Sequence, residues 1–404
     1  MTAGRPPRIG LFDHLSGNRG GGQLVVARMA SGLSRDYDVE FIHDGTGYTV
    51  RNLGAVFGLD VSRVRERIVR NIPRSFAVPG DHGMISYVRS GLAFDRSLTA
   101  PYDLFLYSGH GLPPVCYARR GLVYQHFPME GHPLDGLELL DRWQRRRLLD
   151  RRVRAALYQW LWSKRLRTYQ KVFVNSRFTA SVLERMWRLT PTVLYPPVTL
   201  DALPKPKRNV IVSLGRFDGR DRKNLRAQVE AFSRFLAEVS GDWSLCTIGF
   251  CGSAPESAAQ VESLRVLAAG LPVTILVNAE RRVLVDRLSE AKLFWHTRGL
   301  GGSGAGEVEP RHQEHFGIAT VEAMMAGCVP LVAEAGGQPE IVEDGVSGVL
   351  CRDMDAMVMQ SVRLAKDEAK LTQMAERARE RSMAFHASVF DRAIADTVRD
   401  LVGR

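Results

Sequence analysis

No stretch of this sequence approaches the ~20 consecutive apolar residues that a membrane-spanning helix needs. Its five cysteines (Cys116, Cys246, Cys251, Cys328, Cys351) are scattered without metal-ligand spacing. Most lie in apolar contexts and read as reduced core thiols rather than a disulfide frame or zinc site. Met1 to Pro7 is polar and proline-rich and holds no signal-peptide hydrophobic region, so a cytoplasmic protein is expected. There is no internal repeat and no low-complexity tract. An aromatic-rich recognition motif, a zinc module and a helix-turn-helix pattern are all missing, which makes nucleic acid the weakest partner class. Acidic residues are in deficit: 44 Asp and Glu stand against 55 Lys and Arg, a net charge of +11. That excess implies an anionic partner, either a phosphorylated substrate or an acidic membrane surface.

What is present is regular alternation. Short apolar runs at Ile9–Phe12, Val39–His43, Asp103–Tyr107, Leu122–Gln125, Val172–Asn175 and Thr192–Tyr195 alternate with helical stretches. A second set follows at Val210–Leu214, Ser244–Ile248, Val273–Val277, Leu293–His296, Val329–Ala333 and Gly348–Cys351. Two such sets predict an α/β chain with two Rossmann-like, doubly wound parallel sheets. Prolines between Pro196 and Lys207 break both kinds of element and mark the linker. The domains expected are 1–200, 207–383 and a terminal helical segment 384–404. In open α/β sheets ligands bind outside the carboxyl ends of the strands.

The most informative stretch is Gln313-Glu314-His315-Phe316-Gly317-Ile318-Ala319-Thr320-Val321-Glu322-Ala323-Met324-Met325-Ala326-Gly327. Ile318, Val321, Met325 and Ala326 recur at helical spacing, and Gly327 is placed to stop the helix. A helix opening near Gly317 aims its free N–H groups and positive dipole end at whatever precedes it, which is a phosphate site. Glu314 then lies just outside the helix mouth and Glu322 about two turns away. Carboxylates bracketing an anion site suit a ligand with hydroxyls at both ends and phosphates between them, a nucleotide-diphosphate sugar.

Glu-x7-Glu with an internal Phe-Gly, then Glu-Ala-Met-x-Ala-Gly and Gly336-Gly337-Gln338-Pro339-Glu340, resembles the signature of family 4 retaining GT-B glycosyltransferases. The Glu-His-Phe-Gly-Ile variant is most similar to the dolichol-oligosaccharide α-1,2-mannosyltransferases and their bacterial relatives. The resemblance implies two facing domains, 1–200 for the acceptor and 207–383 for the donor, with an inter-domain cleft. It also implies a C-terminal helix that crosses back to the N-terminal domain.

Other segments join the reading. Gly17-Asn18-Arg19-Gly20-Gly21-Gly22-Gln23 follows the first strand and precedes a helix at Leu24–Leu33. Its glycines allow backbone amides to approach an anion, but their order is not that of a dinucleotide fingerprint. The run resembles the family's N-terminal glycine loop, with Gly21 and Gly22 as donor-side contacts; a plain flexible turn is the rival reading. Arg216 ends a strand and Lys223 opens the next helix, where a forked and a point cation neutralise a diphosphate leaving group. The family's turn between them is two residues shorter, and Arg220 and Arg222 are also basic, so a solvated basic loop is the rival there. His126, in Gln125-His126-Phe127-Pro128, matches a family turn whose imidazole reaches the transferring sugar. His110 is similarly placed with less support, and Ser176 reads as a helix cap. Asp141 to Arg167, dense in arginine with interleaved tryptophans, reads either as a contact for anionic membrane or lipid phosphate or as a solvated face.

The resemblance implies retaining, front-face hexosyl transfer from a UDP-sugar or GDP-mannose to a hydroxyl acceptor, with no metal and no cofactor. Arg216, Lys223 and the helix starting near Gly317 would stabilise the leaving diphosphate. Glu314 would contact sugar hydroxyls, Glu322 the ribose, and His126 the sugar or the acceptor. Phe316, Gly317 and Ile318 would line the donor site, and base contacts are expected near Val277 to Val283. The acceptor expected is a glycan, a lipid-linked saccharide or a secondary metabolite, with peripheral contact at the inner membrane surface if it is lipid-linked. The alternatives are a GT-B sugar-nucleotide epimerase or phosphorylase, and a non-catalytic binder of nucleotide sugar or lipid phosphate.

Overall fold

The computed structural model describes residues 5–13, 20–45, 47–70, 84–111, 113–128, 164–203, 205–219, 221, 223–300 and 309–403. The chain divides into two units. The first is Met1–Pro197 with Ala387–Arg404, and the second is Val198–His386.

In the first unit the strands are β1 (Arg8–Phe12), β2 (Asp38–His43), β3 (Arg65–Ile68), β4 (Leu104–Gly109), β5 (Arg120–Gln125), β6 (Lys171–Val174) and β7 (Thr192–Val193). They form a sheet of order β3-β2-β1-β4-β5-β6-β7, every neighbouring pair parallel. Helices α1 (Gly21–Leu33), α2 (Val50–Phe57), α3 (Met84–Thr99) and α4 (Arg177–Trp187) connect them. The central strand β4 shows why both faces are covered. Leu104 and Leu106 pack with Val25, Val26, Met29 and Ala30 of α1, while Phe105 and Tyr107 pack on the other side with Phe12, Val123 and Trp187. Period-two alternation of apolar side chains to both faces is what a buried parallel strand requires.

The second unit repeats the plan. Its strands are β8 (Arg208–Phe217), β9 (Ser244–Cys251), β10 (Val273–Val277), β11 (Ala291–His296), β12 (Val329–Ala333) and β13 (Val349–Cys351), in the parallel order β10-β9-β8-β11-β12-β13. Its helices are α5 (Leu225–Glu238), α6 (Pro255–Leu267), α7 (Arg281–Glu290), α8 (Ile318–Met325), the short α9 (Gln338–Ile341), α10 (Met354–Lys366) and α11 (Glu368–Ser382). The last helix, α12 (Ala387–Gly403), belongs to the first unit. Its Phe390, Ile394 and Val398 join the core under α1, and Asp391 accepts two hydrogen bonds from Arg28 at 2.9 and 2.7 Å.

Strands and helices fall where periodicity places them, with three differences. Strand β3 is unforeseen, because Arg65-Glu66-Arg67-Ile68 is an exposed edge strand with no apolar alternation to read. Helix α1 begins at Gly21 rather than Leu24, so Gly21 and Gly22 lie in its first turn and not in a loop. The final helical segment begins at Ala387, after a tight turn at Met383–Phe385. Ser176 caps α4 by accepting from Thr179 N, as expected. The cysteines are unpaired, with Cys246, Cys328 and Cys351 buried. Among the described residues no helix is long and apolar enough to cross a membrane.

Candidate active site

The second unit gathers most of the expected residues. Parallel pairing of β8 with β11, Val212 opposite Phe294 and Ser213 opposite Trp295, sets the carboxyl ends of these strands side by side. Arg216 lies at the end of β8 and His296 at the end of β11. Lys223, just before α5, reaches across: its Nζ is 2.8 Å from His296 Nε2 and 2.6 Å from Glu314 Oε2. His296 Nε2 is itself 3.2 Å from the same carboxylate oxygen. The lysine is held from behind, because Thr297 Oγ1 donates to its carbonyl at 2.5 Å and Gln228 Nε2 donates at 3.2 Å.

Burial pushes the Glu314 carboxyl up, but Lys223 and His296 outweigh it and hold it well below the ordinary carboxylate range. Burial pushes the Lys223 ammonium down, with Glu314 opposing. Burial and the neighbouring lysine lower His296, which favours the neutral imidazole at neutral pH. A neutral ring either donates from Nε2 to Glu314 or accepts there from the ammonium, and the proton on Nδ1 follows from which of the two it does. Gln338, fully buried, meets Nδ1 at 3.2 Å with its side-chain amide. Exchanging the amide's O and N turns this contact into a normal acceptor for Nδ1–H; the two orientations are an assignment. Burial also pushes the Arg216 guanidinium down, with Asp218 opposing, yet an arginine keeps its charge in such a site.

The helix mouth is built around glycine. Gly317 precedes α8 with φ 124°, and a Cβ there would lie 2.8 Å from the Gln338 amide nitrogen. The Gly336-Gly337 loop closes on the same segment. Gly337 N donates to the Glu314 carbonyl at 2.8 Å, and a Cβ on Gly336 would run into that carbonyl. Helical bonding starts with Thr320 and Val321 on the Gly317 carbonyl, leaving the amides of Ile318 and Ala319 ahead of it. Phe316 is buried with its ring 5.6 Å from that of Phe385. Glu322, on α8, pairs through Oε1 with Arg281 Nη1 at 2.6 Å. Burial raises this carboxyl, and Arg281 opposes the rise.

His126, Gly21 and Gly22 lie in the first unit. His126 is buried at the end of β5, its Nε2 2.9 Å from Ser108 Oγ and its ring 5.1 Å from that of His110. Gly22 abuts it, since a Cβ there would sit 3.4 Å from His126 Nε2. Gly17, Asn18, Arg19, Arg220, Arg222 and the basic stretch up to residue 163 fall outside the described residues. Of that stretch, Arg165 is described and pairs with Asp95 at 3.1 Å, both nearly buried, which makes it structural.

Three groups were missed by sequence reasoning. His296 carries the same strand-end signal as His126 and could have been found by it. Arg281 lies inside the segment flagged for base contacts. Asp221, in the turn between Arg216 and Lys223, accepts from Leu225 N and Arg226 N at 2.8 and 3.1 Å at the start of α5. Asn224 takes φ 48° and donates to the Thr297 carbonyl.

The family model of glycosyl transferases group 1 matches residues 201–381. That span carries the whole Glu314 to Glu340 signature. In that span the chain is similar to the group 1 glycosyl transferases. Among curated relatives, the chain is 29% identical over 222 residues to a GDP-Man:Man(3)GlcNAc(2)-PP-Dol alpha-1,2-mannosyltransferase of Xenopus laevis, covering 50% of this chain and 42% of that one. The human alpha-1,3/1,6-mannosyltransferase ALG2 is 25% identical over 205 residues, covering 45% of this chain and 46% of that one. The chain thus spans less than half the length of these relatives. Two solved structures share the fold at 16% identity and TM-score 0.67. They are HepE of Anabaena with UDP and glucose, covering 98% of this chain and 100% of that one, and a sucrose-phosphate synthase of Thermosynechococcus elongatus, covering 98% and 99%. The fold is GT-B, and the glycosyl transferase domain resembles those of the dolichol mannosyltransferases.

Proposed function

We propose that the chain transfers a hexosyl unit from a nucleotide-diphosphate sugar to a hydroxyl acceptor, with retention and without a metal. The observation that carries this is the anionic Glu314 pinned by Lys223 and His296 beside the open mouth of α8. Phosphate at that mouth meets free amides and a helix dipole, with the Arg216 and Lys223 cations supplying charge. Charge developing on the leaving diphosphate strengthens those contacts, which is what lowers a barrier rather than merely binding substrate. Glu314 accepts from sugar hydroxyls and Glu322 from the ribose. The departing phosphate takes the acceptor's proton. The acceptor is assigned to the first unit, with His126 beside Gly22 as its candidate contact.

GDP-mannose is the first donor to test, because the curated relatives named above include a GDP-mannose-dependent enzyme. Thermal-shift screening of GDP-, UDP- and dTDP-sugars identifies the donor, since a bound ligand stabilises by mass action. Turnover is then read as nucleotide release with a hydroxyl acceptor, and the product anomer by NMR. Nucleotide binding without release under any acceptor would favour the non-catalytic reading. Loss of activity in EDTA, restored by manganese, would contradict the metal-independent step.

A further inference from the structure

Glu322 has a peculiar environment for a residue assigned to a ribose. Its side chain is 11% exposed, and the charged group facing it among the described residues is Arg281, which opens α7. Lys207 and Arg379 also approach α8, but at its far end: Lys207 Nζ donates to the Ala326 carbonyl at 2.8 Å, and Arg379 lies against Gly327. Arg281 is anchored from a second side, its Nη2 donating to the Thr199 carbonyl at 3.2 Å. The ion pair engages Oε1 of Glu322.

We infer that Arg281 is a positioning residue for Glu322, clamping one carboxylate oxygen so that the side chain presents its charge to a ligand diol. A carboxylate has about four lone-pair sites, so Oε1 can keep the guanidinium and still share in receiving two hydroxyls. Without the arginine, a carboxylate this buried lowers its cost by taking a proton. Protonated, it becomes a donor on one oxygen and a weaker, uncharged acceptor for the two hydroxyls. Arg281 therefore sets the pH range over which the nucleoside is held. Its contribution to binding passes through Glu322 and not through direct contact. This rests on the assignment of Glu322 to the ribose.

Two arms separate that assignment from the inference. In the free protein, with 13C-labelled glutamate carboxyls, Arg281→Gln moves the Glu322 resonance to a higher titration midpoint, and Arg281→Lys largely restores it. An unchanged midpoint overturns the inference without reference to any ligand. In the second arm, GDP-mannose and UDP-glucose are titrated calorimetrically from pH 5 to 8, since their diphosphates do not titrate in that range. Wild-type affinity falls only below the wild-type Glu322 midpoint read in the first arm. Arg281→Gln matches it at high pH and loses about tenfold per pH unit below the new midpoint, as single-proton linkage requires. A loss on Arg281→Gln that is just as large in the Glu322→Gln background would show direct ligand contact and overturn the inference. Glu322→Gln that binds the wild-type ligand unchanged would sink the ribose assignment instead, leaving the first arm to decide on Arg281.

Discussion

Glu314 and Glu322 stand eight positions apart in one motif, both with largely buried side chains, yet their environments drive them in opposite directions. At Glu314 a lysine and an imidazole crowd one oxygen, and the carboxyl falls well below its ordinary range. At Glu322 a single half-exposed arginine faces burial, and burial wins. One carboxylate is a fixed anion whose field organises the cations around it. The other keeps its charge at a net cost that Arg281 offsets only in part. Burial alone therefore does not set a carboxyl's behaviour; the number and closeness of compensating charges do.

The largest effect expected comes from breaking the Glu314 side. Lys223→Ala leaves a mostly buried carboxylate without its cation and should cost about 3–5 kcal/mol of stability, whereas replacing both by apolar residues should cost far less. Urea denaturation of both single variants and the double variant checks this; a double-variant loss equal to the sum of the single losses would mean that the pair is not coupled. Next, Arg216→Ala should reduce turnover by about 10²–10³-fold while sparing nucleoside binding, because its partner is the leaving diphosphate. Equal damage to kcat and to nucleoside affinity would place Arg216 elsewhere.

Glu322→Ala should weaken donor binding by about 1–3 kcal/mol by leaving ribose hydroxyls unpaired. Unchanged calorimetric affinity in a folded variant would end the contrast between the two glutamates. The smallest effect is the pH signature. Glu314 has a folded pKa below its unfolded value of 4.5, so its contribution is present above that value and lost as pH falls through the folded pKa. Glu322 has a raised folded pKa, so its contribution is largest below 4.5 and declines as pH rises through the folded value. Glu314→Gln should flatten the acid limb of the stability curve, and Glu322→Gln should steepen it slightly. Parallel curves for both variants would contradict the opposite shifts.

The motif residues were legible because their spacing is local. Gly317 at the helix start, Gly327 at its stop and the strand Val329–Ala333 all follow from periodicity within one short segment. Arg216 was legible as a strand end. His296 also ends a strand, but its contact with Lys223 was not legible, because the two are 73 positions apart and only the pairing of β8 with β11 brings them together. Gln338 sat in the recognised glycine loop, but its contact with His296 spans 42 positions and two separate elements. Strand β3 was hidden for a different reason: an exposed, charged edge carries no burial pattern.

By itself, then, the sequence determined the two doubly wound sheets, the glycines that shape the mouth of α8, and which residue types could meet a diphosphate. These follow from periodicity and backbone sterics, both of which act over a few residues. Only the tertiary structure decided which charges face each other. It set Lys223 and His296 on Glu314 but, among the described residues, Arg281 on Glu322. Coulomb energies depend on distances of a few ångströms and on local burial, and neither is defined until distant segments have packed.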